Sequence, residues 1–138
     1  FNIERAALDW LMTMSLQKMY ERFSNLRIVS VENGSSFLPD LFRKLPQQKN
    51  KLMGWFKEDP LELFKEHVWI NPFWEDDPYE VADLMGPDRV VFGSDWPHIE
   101  GMPAPLDYVM ELKEFSIDDQ KKILLDNVSA LNEPRPLR

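Results

Sequence analysis

Val90-Val91-Phe92-Gly93-Ser94-Asp95-Trp96-Pro97-His98 is the stretch from which the rest of the chain takes its meaning. It opens as a short β-branched and aromatic run and breaks off into Gly-Ser-Asp-Trp-Pro-His, the pattern of a buried strand that empties into a loop. That loop carries a carboxylate, an indole and an imidazole. Chemistry gathered at the carboxyl end of a buried strand points to an α/β scaffold, because in parallel-sheet folds the ligand crevice lies outside that edge. On spacing alone a strand followed by a polar turn is the simpler reading, since Gly, Asp and Pro are ordinary turn residues.

Two similar units precede it. Leu26-Arg27-Ile28-Val29-Ser30-Val31 is a strand ending in Glu32-Asn33-Gly34-Ser35-Ser36, whose serines offer caps to a helix through Phe37, Leu38, Leu41, Phe42 and Leu45. Val68 to Phe73 is a second strand closed by Glu75-Asp76-Asp77. Asp77 then caps a helix over Pro78–Met85, with Pro78 at its first position and Gly86 just past its end. Between these units, residues 46 to 59 form a polar surface excursion, followed by a short helix from Pro60 through Phe64. Upstream, Ile3, Ala7, Trp10, Leu11, Met14 and Met19 mark the apolar face of one long helix from Ile3 to Phe23, with Asn2 as its cap. Downstream, Pro103 and Pro105 initiate a helix through Val109 and Leu112. Ser116 to Asp119 opens a closing helix that buries Ile123, Leu124, Val128 and Leu131, and residues 133 to 138 form a mobile tail.

Strand, loop, helix three times over predicts three parallel strands, near Leu26 to Val31, Val68 to Ile70 and Arg89 to Phe92. They should be adjacent in that order, with Glu32, Asn71 and Asp95 emerging at one edge. Two architectures satisfy that order, an open α/β sheet or an arc of an eight-stranded barrel, and periodicity does not separate them.

Composition narrows the function classes. With 138 residues and 43% apolar content the chain has enough material for one core. A net charge of -8 argues against a nucleic-acid or anionic-membrane partner, because phosphate binding needs a basic footprint. No apolar run approaches the roughly 18 to 20 residues of a membrane span. The absence of cysteine removes disulfides, thiol catalysis and Cys-ligated zinc, and is compatible with the cytoplasm, the expected location. The chain opens with Phe1-Asn2 rather than Met, which suggests a piece of something longer.

Asn25 to Leu45, Val68 to Asp77 and Val90 to His98 resemble the sixth-, seventh- and eighth-strand blocks of the amidohydrolase-related (β/α)8 metal hydrolases and decarboxylases. This group includes the aminocarboxymuconate-semialdehyde decarboxylase-like enzymes. Asp126-Asn127-Val128-Ser129-Ala130-Leu131 is similar to the family's closing helix. The resemblance implies an α/β fold made of the carboxyl-terminal three βα units of a TIM barrel plus closing helices. It implies that residues 1 to 138 form a single partial domain of a metal-dependent hydrolase or nonoxidative decarboxylase acting on a small carboxylated or cyclic substrate.

By that resemblance Asp95 is the aspartate that ligates, or sits against, a catalytic divalent metal, zinc by family expectation, and handles a proton of the attacking water. Glu32 stands where the decarboxylase branch carries a catalytic histidine and other branches carry glutamate. His98 is placed to contact substrate, and Trp96, Trp74 and Asn71 to line its pocket. His67, at the amino end of its strand, is expected on the surface. The family's first-strand His-x-His pair and fifth-strand histidine have no counterpart among the 2 histidines here. The resemblance therefore implies weak metal binding and no turnover by this chain alone, and association with itself or with an amino-terminal half. The alternative is a non-catalytic barrel fragment serving as an assembly or interaction module.

Overall fold

The computed structural model describes residues 3 to 134. Its frame is a parallel pair: β1 (Ile28–Ser30) lies beside β2 (Val68–Ile70) in the register Ile28 to Val68, Val29 to Trp69 and Ser30 to Ile70. The third predicted strand continues the sheet on the far side of β2. Val90 forms a parallel bridge with Ile70, and Val91 N–H donates to the Ile70 carbonyl at 2.9 Å. It pairs too briefly to count as a full strand, and on its opposite side Phe92 N–H donates to the carbonyl of Ile123 at 3.1 Å. The predicted order and parallel sense hold, with β2 as expected and the first and third strands shorter.

Helices cover this sheet. α1 (Ile3–Leu16) and α2 (Met19–Arg22) replace the single long helix expected over 3 to 23, because Lys18 adopts a left-handed φ of 57° and turns the chain. α1 buries Ala7, Leu8, Leu11 and Ser15, whereas Trp10, expected inside, is 52% exposed. Ser15 fills a buried slot because its hydroxyl is satisfied by the Leu11 carbonyl at 3.0 Å. The expected cap Asn2 lies outside the described residues.

α3 (Leu38–Lys51) corrects the excursion at 46 to 59: the helix runs on through Pro46, and only the segment beyond Lys51 leaves it. A proline inside a helix forfeits one backbone bond, and burial of Leu38, Leu41 and Leu45 on one face outweighs that loss. Ser35 and Ser36 do not cap this helix, which begins after Phe37 without a side-chain cap. The excursion lands on the α1–α2 corner, where Trp55 Nε1 donates to Leu16 O at 2.9 Å and Lys18 Nζ lies 4.2 Å above the Trp55 ring.

α4 (Pro60–His67) is capped by Asp59, which accepts from Leu61 N and Glu62 N, and it runs directly into β2. His67, expected on the surface, is buried. Its ring stacks on Tyr20 with centroids 5.1 Å apart, and Nδ1 lies 2.6 Å from the Leu26 carbonyl. α5 (Pro78–Met85) matches expectation, with Asp77 as its cap and Gly86 past its end.

The helix expected after Pro105 is a 3-10 turn over Pro105–Met110 that buries Tyr108 and leaves Val109 exposed. The closing helix is α6 (Ile117–Lys121), a π-helical turn over Lys122–Asp126, and α7 (Asn127–Leu131). Val128 is exposed, Leu124 and Leu131 are half-buried, and Ile123 and Asn127 occupy the interior instead. The Asn127 amide donates to the carbonyls of Pro87 and Val90 at 2.8 and 2.7 Å, which pins the closing helix to the base of the third strand. Of the predicted tail, residues 135 to 138 lie outside the described residues. No helix among the described residues is long and apolar enough to cross a membrane.

Candidate active site

Parallel strands deliver their carboxyl ends to one edge, so the loops leaving β1, β2 and the third strand share a common space. A cavity of about 510 Å³ opens there. Ile3, Phe73 and Trp74 form its apolar wall, and Glu32, Glu75, Asp95 and Glu100 with the single imidazole of His98 form its polar side. Four of the predicted site residues are thus brought together: Glu32, Asp95, His98 and Trp74.

Two predicted residues fall elsewhere. Trp96 is 66% exposed and does not line the cavity. Asn71 is buried and does not line it either, donating to the carbonyls of Pro72 and Val91 at 3.1 and 3.3 Å. Its amide fills the space a side chain at Gly93 would need, since a Cβ there would stand 2.8 Å from Asn71 Oδ1.

Glu32 and Asp95 share an unusual backbone. Each has φ of 54°, in the left-handed region that non-glycine residues avoid at a cost of about 1 to 3 kcal/mol. Strain of this kind clusters at functional sites; of the three non-glycine residues with positive φ among the described residues, Lys18 turns the chain between α1 and α2, and the other two carry carboxylates that line one cavity. The Asp95 side chain is only 15% exposed and pairs with His98, Nδ1 to Oδ1, at 2.9 Å. Burial pushes the Glu32 carboxyl above its ordinary value, the charges of Asp95 and Glu75 push the same way, and His98 partly opposes them.

Ile3, Phe73, Glu75 and Glu100 were not anticipated. Glu75 was visible only as part of an acidic run that reads as strand punctuation. Glu100 is carried back to the site by a reversal, in which Met102 N–H donates to Ser94 O at 2.8 Å. Gly101 packs so closely that a Cβ would lie 2.5 Å from Asp95 O, so that glycine was the one available signal.

Residues 3 to 131 match the family model described as Amidohydrolase. The chain belongs to the amidohydrolase family. Among solved structures, an amidohydrolase from Mycobacterium avium subsp. paratuberculosis K-10 is 41% identical, with a TM-score of 0.89. That similarity covers 93% of this chain and 33% of the other, so the chain spans about a third of the length of that relative. No curated protein sequence matches it.

Amidohydrolases typically bind a divalent metal, and the donor chemistry here fits one. Asp95, His98 and Glu100 each bring one ligand atom to within 4.8 Å of the others. Two carboxylates and an imidazole suit a borderline or hard divalent ion and leave room for a further ligand.

Proposed function

We propose that this chain is the carboxyl-terminal three-unit arc of a (β/α)8 barrel in a metal-dependent hydrolase acting on a small cyclic or carboxylated substrate. The observation that carries the reading is the convergence of two left-handed carboxylate residues, Glu32 and Asp95, on one cavity walled by Phe73 and Trp74. Hydrolysis is favoured over decarboxylation because the site offers two carboxylates to move protons to and from water, where the decarboxylase branch has a histidine in place of Glu32.

In this reading Asp95, with His98 or Glu100 beside it, would hold the ion; zinc is the family expectation. When bound, the ion supplies Lewis acidity and offsets the negative charge of the site. Asp95 accepts a proton as water adds to the substrate carbonyl, and His98 orients its carboxylate through the 2.9 Å contact. Glu32, whose carboxyl is raised above its ordinary value by burial and by the neighbouring carboxylates, donates a proton to the leaving group. The indole of Trp74, fixed by its Nε1 bond to Glu100 O at 3.0 Å, walls the substrate. The outer edge of β1 pairs with no strand among the described residues, and it takes the amino-terminal part of the barrel, which supplies the remaining ligands. The chain alone binds metal weakly and does not turn over.

The test compares the full-length enzyme with its Asp95→Asn variant on small cyclic amides and esters at matched metal occupancy. The rate should fall by at least about 100-fold with the fold intact. Near-wild-type rates would remove Asp95 from the chemistry, and release of carbon dioxide in place of a hydrolysis product would assign the decarboxylase reaction. A full-length protein that neither hydrolyses nor decarboxylates such substrates while still assembling through this chain would favour the non-catalytic module.

A further inference from the structure

Building on the role of Glu32 just given, we propose that Asp76 is a positioning residue whose carboxylate fixes the turn that presents Glu32 to the cavity. Glu75-Asp76-Asp77 is a run of three acids with three destinations. Glu75 lines the cavity and Asp77 caps α5 through Tyr79 N at 2.8 Å. Asp76 does neither. Its Oδ2 accepts from the Ser35 hydroxyl at 2.9 Å, across from the loop after β1, and from Phe73 N–H at 3.1 Å in its own loop.

Those two bonds join the loop that carries Glu32 to the loop that carries the aromatic wall. Between them lies Gly34, buried at φ 67°, where a Cβ would come within 2.8 Å of the Phe73 ring and 2.4 Å of Glu4 Oε1. The same Glu4 oxygen accepts from Ser36 N–H at 3.1 Å. The turn is thus gripped from two sides by carboxylates: Glu4 from α1 and Asp76 from the loop after β2. Asp76 is the member that also holds Phe73, so its loss would release the wall and the turn together. A left-handed residue persists only where its surroundings over-determine it, and the Asp76 bonds to Ser35 and Phe73 supply that constraint for Glu32.

The test uses the full-length enzyme, amide hydrogen exchange and hydrolysis of p-nitroacetanilide as a generic probe, an amide whose nitrogen leaves only once protonated. In Asp76→Ala, the amides of Gly34 to Ser36 and of Phe73 should lose protection by about tenfold or more, the loss of one hydrogen bond. The amides of α5 should be unchanged. The turnover number should drop about 100-fold, the scale of a misplaced reacting group, with a rise in KM from the released Phe73 wall. Asp76→Asn keeps a carbonyl acceptor and should restore most of both. In a Glu32→Gln background Asp76→Ala should cost the turnover number nothing further, because Asp76 acts on turnover through Glu32, while the released Phe73 wall raises KM alike in both backgrounds. Unchanged loop protection, or an undiminished further loss in the Glu32→Gln background, would overturn the positioning role. If Glu32→Gln itself leaves the probe rate unaltered, the assigned role of Glu32 fails, and the exchange pattern alone decides whether Asp76 holds the turn.

Discussion

Replacing His67 by alanine should destabilise the fold far more than its place in Lys65-Glu66-His67-Val68 suggests. The side chain is 1% exposed, stacked on Tyr20 at 5.1 Å, and its Nδ1 lies 2.6 Å from Leu26 O. A carbonyl only accepts, so Nδ1 carries the proton in this contact. Losing the hydrogen bond costs about 1 kcal/mol, and losing the ring stack about another 1. Truncating a buried ring adds a cavity, so the total for His67→Ala is about 3 kcal/mol or more. His67→Phe keeps a ring against Tyr20 and loses mainly the bond, so it should cost about 1 kcal/mol. Urea denaturation with an unchanged m value is the assay, since a shift of midpoint at constant m reports stability itself. A loss below about 0.5 kcal/mol for His67→Ala, the scale of an ordinary surface substitution, would refute the buried placement.

Two further outcomes follow from the same physics. Burial raises the Asp59 carboxyl, but the Lys49 bond at 2.6 Å and the amides of Leu61 and Glu62 more than offset it, so its folded value is lowered. Its contribution is present above about pH 4 and lost as pH falls through the folded value, so Asp59→Ala should cost about 1 kcal/mol at pH 7 and progressively less in acid, read by thermal melts across pH; a pH-independent deficit would contradict this. Glu32 runs the other way: burial, then Asp95 and Glu75, raise it, so its favourable contribution is full below about pH 4 and lost as pH rises through the raised value. Metal-free Glu32→Gln should therefore melt higher than wild type at pH 7, by no more than about 1 kcal/mol given solvent screening, with the gain gone near pH 4. Equal melting at pH 7 would place Glu32 outside the field of Asp95.

Local chemistry was legible and tertiary choice was not. α5 could be bounded from sequence because Asp77, Pro78 and Gly86 start and stop it by their own geometry. The three strands and their order followed from short β-branched runs ending in polar loops. His67 was misread because nothing in its neighbourhood encodes the Tyr20 ring that meets it from another element. Val128 was misread for a different reason. Ile123 and Asn127, four residues apart, share the face that turns inward, where the Asn127 amide finds the Pro87 and Val90 carbonyls, and nothing local marks that face over the one carrying Leu124 and Val128. At the site, Glu32, Asp95, His98 and Trp74 could be named because each stands at or just past a strand end. Phe73 and Ile3 could not, because an apolar residue gives no sign in the sequence of whether it faces a core or a cavity.

The left-handed backbone at Glu32 and Asp95 explains why strand position alone was insufficient to predict the site. A strand fixes where the chain leaves the sheet to within the spacing of its neighbours, but it does not say which way the next side chain points. At Glu32 that direction is set by Gly34 wedged against Phe73 and by the bond from Ser35 to Asp76. At Asp95 it is set by the return of the chain, with Met102 N–H on Ser94 O and Gly101 packed on the Asp95 carbonyl. Each conformation costs about 1 to 3 kcal/mol and is held by contacts that lie outside the strand. The sheet therefore sets the distance between the two carboxylates, while loop glycines and second-loop hydrogen bonds set their aim. Substitutions that leave every strand residue intact can still disarm the site.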